Sequence, residues 1–249
     1  MRITAILNLK GGVAKTTTAI NLGSILHHYH NRRVLLIDCD SQGNLTEFFG
    51  VRGATATMAD LLRVDAPIGD AIRHTEDGPD IIPGDDTLMD LDLSAASGGK
   101  ANINCLLPLR ELQYDNVIID CPPAFNAAAA AALVAADDVL IPIRLDAFSL
   151  RGMGNLMTQV SNMRAINPSL RVCGILPTMY TRDRQTLEAA AELKMQGFEV
   201  YNPIRQSPTV TDMTYKQQPL WRSSPRSGAG LDYKIFAERF VEEEKQYGI

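Results

Sequence analysis

The chain has 249 residues, 45% of them hydrophobic and 21% charged, with 24 basic against 29 acidic side chains and a formal net charge of −5. With a mean hydropathy of −0.06, this composition excludes low-complexity and disordered classes, and the length gives one α/β domain a core that needs no disulfide or metal staple. The longest apolar run, residues 127–136, falls well short of the roughly 18 residues that a membrane-spanning helix requires.

Residues 1–10 read as a first strand with residues 3–7 at its centre, and no small-residue cleavage site follows, so a cytoplasmic location is expected. Further apolar runs at 34–37, 117–119, 139–143 and 172–176 alternate with helical spacing at 16–29, 101–112, 150–166 and 186–196. Short continuous apolar strands separated by helices predict a doubly wound, mostly parallel sheet with helices on both faces. No linker rich in Gly, Ser or Pro marks a boundary, so a single domain over 1–249 is expected. Residues 52–100 are the least regular, 201–230 are polar and proline-punctuated, and a last helix is predicted over about 231–247. Cys39, Cys105, Cys121 and Cys173 form no C-x-x-C pair and read as free thiols, buried or partly so.

After the first strand comes Lys10-Gly11-Gly12-Val13-Ala14-Lys15-Thr16-Thr17-Thr18. A glycine-rich turn entering a helix aims backbone N–H groups and the positive end of the helix dipole at one place, which suits a triphosphate. There Lys15 neutralises β- and γ-phosphate oxygens, and the Thr16 hydroxyl takes one position around Mg2+. The strict G-x-x-x-x-G-K-[ST] pattern is not met, because Leu9 and Ala14 occupy its two glycine positions. Asp38 and Asp40 close the second strand, where open α/β sheets bind ligands, although Asp-x-Asp before Gly-Asn also describes a self-bonded turn. Asp120 ends the strand Asn116-Val-Ile-Ile-Asp120 and has the form of a carboxylate that holds a Mg2+-bound water.

The motif K-G-G-x-x-K-T-T resembles the deviant Walker A motif of the ParA/MinD ATPases, nearest to short ParA-like partition ATPases without an N-terminal helix-turn-helix. The resemblance runs from residue 2 to about 240 and implies a P-loop NTPase fold. It implies that Lys10, Gly11, Gly12, Val13, Ala14, Lys15, Thr16 and Thr17 hold ATP, and that Lys10 reaches across a nucleotide-sandwich dimer to the partner's phosphates. Asp38-Cys-Asp40-Ser-Gln-Gly-Asn44 is similar to the family's first switch, with Asp40 positioning the attacking water and Asp38 joining Thr16 and Asp120 around Mg2+. The implied catalytic set is Lys10, Lys15 and Asp40. Ala14 stands where the family has glycine, and residues 124–132 depart from its second-switch pattern, so slow hydrolysis is expected.

No [NT]-K-x-D tetrapeptide is present, which favours ATP over GTP. Leu176-Pro-Thr-Met-Tyr resembles the family segment near the adenine and points to Thr178 and Met179, or to a strand end that binds nothing; Arg205 replaces the expected proline. Residues 1–140 carry 10 basic and 18 acidic side chains, whereas 141–249 carry 14 and 11. Arg182, Arg184, Arg205, Lys216, Arg222 and Arg226 are the candidate contacts to nonspecific double-stranded DNA, with solvated surface as the alternative. The resemblance implies a homodimer on ATP binding, a ParB-like adaptor that stimulates hydrolysis, nucleoid association and a role in DNA segregation. Two alternatives stay open: a MinD-like membrane-positioning ATPase and a slow nucleotide-switch regulator. For the former, the apolar stripe of Leu231, Ile235, Phe236, Phe240 and Val241 runs into Glu242-Glu243-Glu244, the wrong sign for anionic lipid, so packing on the sheet and no stable membrane association are expected. Asp85-Asp86 and Glu242 to Glu244 read as solvated faces, and His27, His28, His30 and Arg33 as favourable charges at the end of the first helix.

Overall fold

The computed structural model describes residues 1–96 and 100–247. Six parallel strands form one open sheet: β1 (Arg2–Ile6), β2 (Val34–Asp38), β3 (Asp80–Ile82), β4 (Asn116–Asp120), β5 (Asp138–Arg144) and β6 (Arg171–Thr178), in the order β3-β2-β4-β1-β5-β6. Every strand pairing is parallel, in keeping with the doubly wound, mostly parallel sheet expected from the sequence. Eleven helices are described: α1 (Lys15–His30), α2 (Asn44–Phe48), α3 (Met58–Arg63), α4 (Ile68–Ala71), α5 (Thr87–Ala96), α6 (Ala127–Ala135), α7 (Ala147–Met163), α8 (Arg184–Met195), α9 (Thr209–Lys216), α10 (Leu220–Ser223) and α11 (Gly228–Tyr247).

Alternate side chains on each strand enter opposite layers. Ile3, Ala5 and Leu7 join Val117, Ile119, Val139 and Ile141 in a core with α3 and α6. Ile6, Leu36, Ile118 and Leu140 face the other way, against α1 and the Tyr233, Phe236 and Phe240 side of α11. This double burial is why the strands read as unbroken apolar runs rather than alternating ones.

The sequence reading differs from the fold in several places. Residues 101–112 form only a 3-10 helix, Leu107–Glu111, because Pro108 at its start has no N–H to extend an α-helix backwards. The irregular 52–100 segment contains α3, entered through a Thr57/Asp60 capping box, and the short strand β3. The 201–230 stretch contains α9 and α10. On α11, Phe236, Phe240 and Val241 are buried as expected, but Leu231 and Ile235 are 44% and 47% exposed.

Glu242 to Glu244 is not a solvated run. Glu244 is 3% exposed and accepts from Asn116 and Arg32, while Glu243 accepts from the Tyr201 hydroxyl at 2.6 Å. At the same end of the sheet, buried Arg2 binds Asp138 and donates to the Phe240 carbonyl at 3.1 Å. All four cysteines are free, and only Cys173 is less than fully buried.

Candidate functional site

The strand register brings the site together. Asp38 pairs with Asp120 across β2 and β4, and Ile6 of β1 pairs with Asp120 on the other side, so the phosphate turn after β1 leaves the sheet where both carboxylates end. Gly12 and Ala14 both adopt left-handed backbone, with φ of 70° and 64°. Two such reversals within three residues wrap the turn around the start of α1, whose first N–H groups have no partner within the helix. For Ala14 this conformation costs roughly 1–2 kcal/mol that glycine would not incur.

A cleft of about 260 Å3 lies over this turn, lined by Gly11, Gly12, Ala14, Lys15, Thr16 and Thr17 together with Asp40, Asn44, Pro123 and Met179. Lys15 is buried and donates to the Lys10 carbonyl at 3.2 Å. Burial lowers its pKa, against the opposing pull of Asp120. Val13 is buried, and its carbonyl accepts from Thr178 Oγ1 at 3.1 Å.

The three carboxylates differ in their surroundings. Asp38 Oδ2 accepts from Thr46 N at 2.9 Å and Thr46 Oγ1 at 2.7 Å, and Oδ1 from Asp40 N at 3.1 Å. Burial pushes its pKa up to about 6 despite those bonds. Asp38 thus fastens the first turn of α2, and Thr46, which its own sequence context did not single out, is its partner. Thr46 Oγ1 also accepts from Gly84 N at 2.9 Å; a Cβ on Gly84 would lie 2.5 Å from the Asp38 carbonyl, so only glycine lets β3's trailing loop approach this closely. Asp40 is half-buried at the cleft wall and accepts from Gln42 N. Asp120 is fully buried, and neither carboxylate oxygen has a hydrogen-bond partner. Desolvation and the nearby Asp38 raise its pKa, while the Thr16 hydroxyl and Lys15 pull it down.

Lys10 points elsewhere. Its ammonium lies 2.8 and 3.0 Å from the Asp146 carboxylate and 3.0 Å from Ser149 Oγ, at the start of α7.

A second pocket of about 170 Å3 continues past Ala14, Thr17 and Met179, walled by Ile204, Val210 and Tyr233. Met179 lines both spaces; its φ is 50°. Thr178 lines the second pocket, but its hydroxyl is committed to Val13 and Ile143 carbonyls, tying the phosphate turn to β5 and β6. Ser207, Val210 and Tyr233 of this pocket lay in segments with no readable motif. Arg205 lines it too, with its guanidinium held by both Asp232 oxygens at 2.8 Å.

An AAA-domain family model matches residues 1–172. The chain is 38% identical over 201 residues to the chromosome partitioning protein ParA of Caulobacter vibrioides, covering 77% of this chain and 74% of that one. It is also 38% identical over 190 residues to the chromosome-partitioning ATPase Soj of Thermus thermophilus, covering 76% and 73%. The chain belongs to the ParA/MinD-type ATPases. A solved cobyrinic acid a,c-diamide synthase from Mycobacterium smegmatis, crystallised with an ATP analog and magnesium, superposes with a TM-score of 0.85 at 28% identity, over 100% of this chain and 97% of that one.

The residues of this ParA-type ATPase fit a divalent cation beside a phosphate chain. The buried Asp120 carboxyl has oxygens without a hydrogen-bond partner beside the phosphate turn, and the Thr16 hydroxyl that lines the cleft acts on the same carboxyl, so the two offer oxygen ligands at one place. Asp38 has its oxygens engaged by Thr46 and Asp40, which leaves it as support behind that position. Among the described residues there is no group of three or more His, Cys, Asp or Glu that could hold a metal ion, and His28 stacks on Trp221 at 3.8 Å.

The candidate DNA contacts divide in two. Arg184 pairs with Glu188, Arg205 with Asp232 and Arg222 with Asp77. Arg182, Lys216 and Arg226 are exposed and form no ion pair among the described residues. No helix among the described residues is long and apolar enough to cross a membrane.

Proposed function

We propose that this ATPase is a DNA-segregation switch: two subunits clamp two ATP·Mg2+, the dimer binds DNA without sequence preference, and a ParB-like adaptor stimulates hydrolysis and release. The observation that carries this reading is the direction of Lys10. Lys10 is bound at the head of α7 and does not line its own phosphate cleft, whereas Lys15 remains over its own turn, which supports a role for Lys10 at a facing subunit's phosphates once it leaves Asp146.

In the cleft, the α1 N–H groups, Lys15 and the partner's copy of Lys10 stabilise charge on the γ-phosphate, and Asp40 orients the attacking water. Mg2+, when bound, would neutralise charge on the phosphate chain. Thr16 and Asp120 would hold it, and Asp38 would brace the switch turn behind. The purine would occupy the pocket beyond Met179, whose walls offer apolar contact from Ile204 and Val210. DNA binding would use Arg182, Lys216 and Arg226 from each subunit, with Arg184, Arg205 and Arg222 held back by their carboxylate partners. Names of the relatives, chromosome partitioning in two genera, support the segregation role.

The test is gel retardation of arbitrary duplex DNA across a salt series with ATP, ADP or no nucleotide. Retardation confined to ATP and lost with rising salt is expected; retardation independent of nucleotide, or none at low salt, overturns the reading.

A further inference from the structure

The pocket beyond Met179 has one lining residue unlike its neighbours. Ala14, Ile204 and Val210 bring apolar surface to it, and Arg205 brings a guanidinium. Arg205 lies in the loop between β6 and α9, and both its backbone N–H and its side chain donate to Asp232 of α11. Nε and Nη2 reach the two carboxylate oxygens at 2.8 Å each, and Nη2 also donates to the Gly228 carbonyl at 3.2 Å. Two parallel bonds to a planar carboxylate fix the plane of the guanidinium as well as its position.

Gly228 covers one face of that plane. A Cβ on Gly228 would stand 3.2 Å from the guanidinium carbon, 3.3 Å from Nε and 3.6 Å from Nη1. A neighbour lying in the plane would meet nitrogen before the central carbon, so an approach nearest to the carbon comes from above the plane. The surfaces left over are the opposite face and Nη1, which makes no hydrogen bond among the described residues. The side chain is 55% exposed, so a ligand can reach them.

Shape and charge define what such a surface takes. Asp232 neutralises the charge that would draw a phosphate, and the pair presents a flat group with one open side. A π-system gains from lying on a guanidinium face, because the planes match and the positive group meets the electron-rich ring face. An ammonium has no such face. Resting on the reading that the purine enters this pocket, we propose that Arg205 is the base-stacking residue of the nucleotide site, with Asp232 and Gly228 setting its plane from behind.

Calorimetry of the intact protein with Mg2+ compares ATP with inorganic tripolyphosphate, which carries a phosphate chain and no base. Arg205→Ala is expected to weaken ATP about five- to tenfold and to leave tripolyphosphate within about twofold. Arg205→Lys, which keeps the charge and loses the plane, is expected to behave as Arg205→Ala does. Val210→Trp, which fills the pocket, is expected to weaken ATP and spare tripolyphosphate, and so reports where the base lies without involving Arg205. ATP affinity unchanged by both Arg205→Ala and Val210→Trp would overturn the placement of the purine and this proposal with it. ATP weakened by Val210→Trp alone, both ligands weakened equally by Arg205→Ala, or Arg205→Lys binding ATP as wild type does would overturn the stacking role and leave the placement standing.

Discussion

The Lys10 ammonium and the Asp146 carboxylate are joined by two contacts, at 2.8 and 3.0 Å, and Asp146 is at the same time the N-cap of α7 through Ser149 N at 2.8 Å. Burial works against the Asp146 charge, yet hydrogen bonds from Lys10 and Ser149 prevail and hold its pKa down at about 2. The lysine proposed to cross to a facing subunit is therefore held in its own. Asp146→Asn keeps a competent cap while removing the charge. It is expected to tighten ATP-dependent dimerisation about two- to fivefold by sedimentation with a slowly hydrolysed ATP analogue. An unchanged dimer constant would show that the pair does not restrain Lys10.

Lys15 and Asp40 both line the cleft and should separate binding from turnover. Lys15→Ala is expected to weaken ATP binding by about two orders of magnitude in calorimetry. Asp40→Ala should keep ATP affinity within about threefold while cutting phosphate release about 100-fold, and so trap the DNA-bound form. Wild-type hydrolysis by Asp40→Ala would remove that residue from the mechanism.

Ala14 adopts a φ of 64°. Ala14→Gly relieves strain of roughly 1–2 kcal/mol but gives the unfolded chain back about 0.4–1 kcal/mol of freedom. The net expectation is a Tm raised by about 1–4 °C together with faster phosphate release. A lower Tm would mean that the methyl group makes a packing contact worth more than the strain.

Protonation of the carboxylate pair gives a pH signature. Burial raises the Asp38 pKa to about 6, and Asp120 is raised in the same direction. Between the unfolded carboxylate value near 4 and the folded value, the native state binds more protons than the unfolded one, so stability falls as pH rises through that window. Calorimetry of nucleotide-free protein should show this decline between about pH 4 and 6. Asp38→Asn should flatten it, and a Tm that climbs across the window in wild type would contradict the assignment.

The ion-pair pattern ranks the DNA contacts. Charge reversal at Arg182, Lys216 and Arg226 together should reduce the slope of log affinity against log salt by about 3 per subunit, if each meets one phosphate. Reversal of Arg184, Arg205 and Arg222 should change it less, since those cations start out neutralised. Equal effects from the two sets would place the footprint elsewhere.

Much of this architecture is legible because a parallel strand covered on both faces must be apolar along its whole length, and five of the six strands announce themselves that way. β3 does not: only Ile81 and Ile82 carry the signal, with Pro79 and Pro83 on either side. The phosphate turn and the carboxylates at 38, 40 and 120 are legible because backbone geometry ties them to strand ends. Thr46 and Asp146 are not, since each acquires its role only when a distant segment arrives beside it. Glu244 shows the opposite failure: three consecutive carboxylates look solvated until Arg2, Arg32 and Asn116 converge on the last of them.

The contact between Arg2 and the Phe240 carbonyl spans 238 positions. The strand that carries the phosphate turn is made first, yet it lies between β4 and β5 and is clamped by α11, all made later. Pairing of such sequence-distant parts is slow, because chain closure must precede any stabilising contact. On the ribosome the turn therefore waits until β4, β5 and α11 have been made. A chain cut short before its last helix would have every residue that lines the cleft but would lose the Phe240 carbonyl that fastens Arg2 at the start of the strand beneath it.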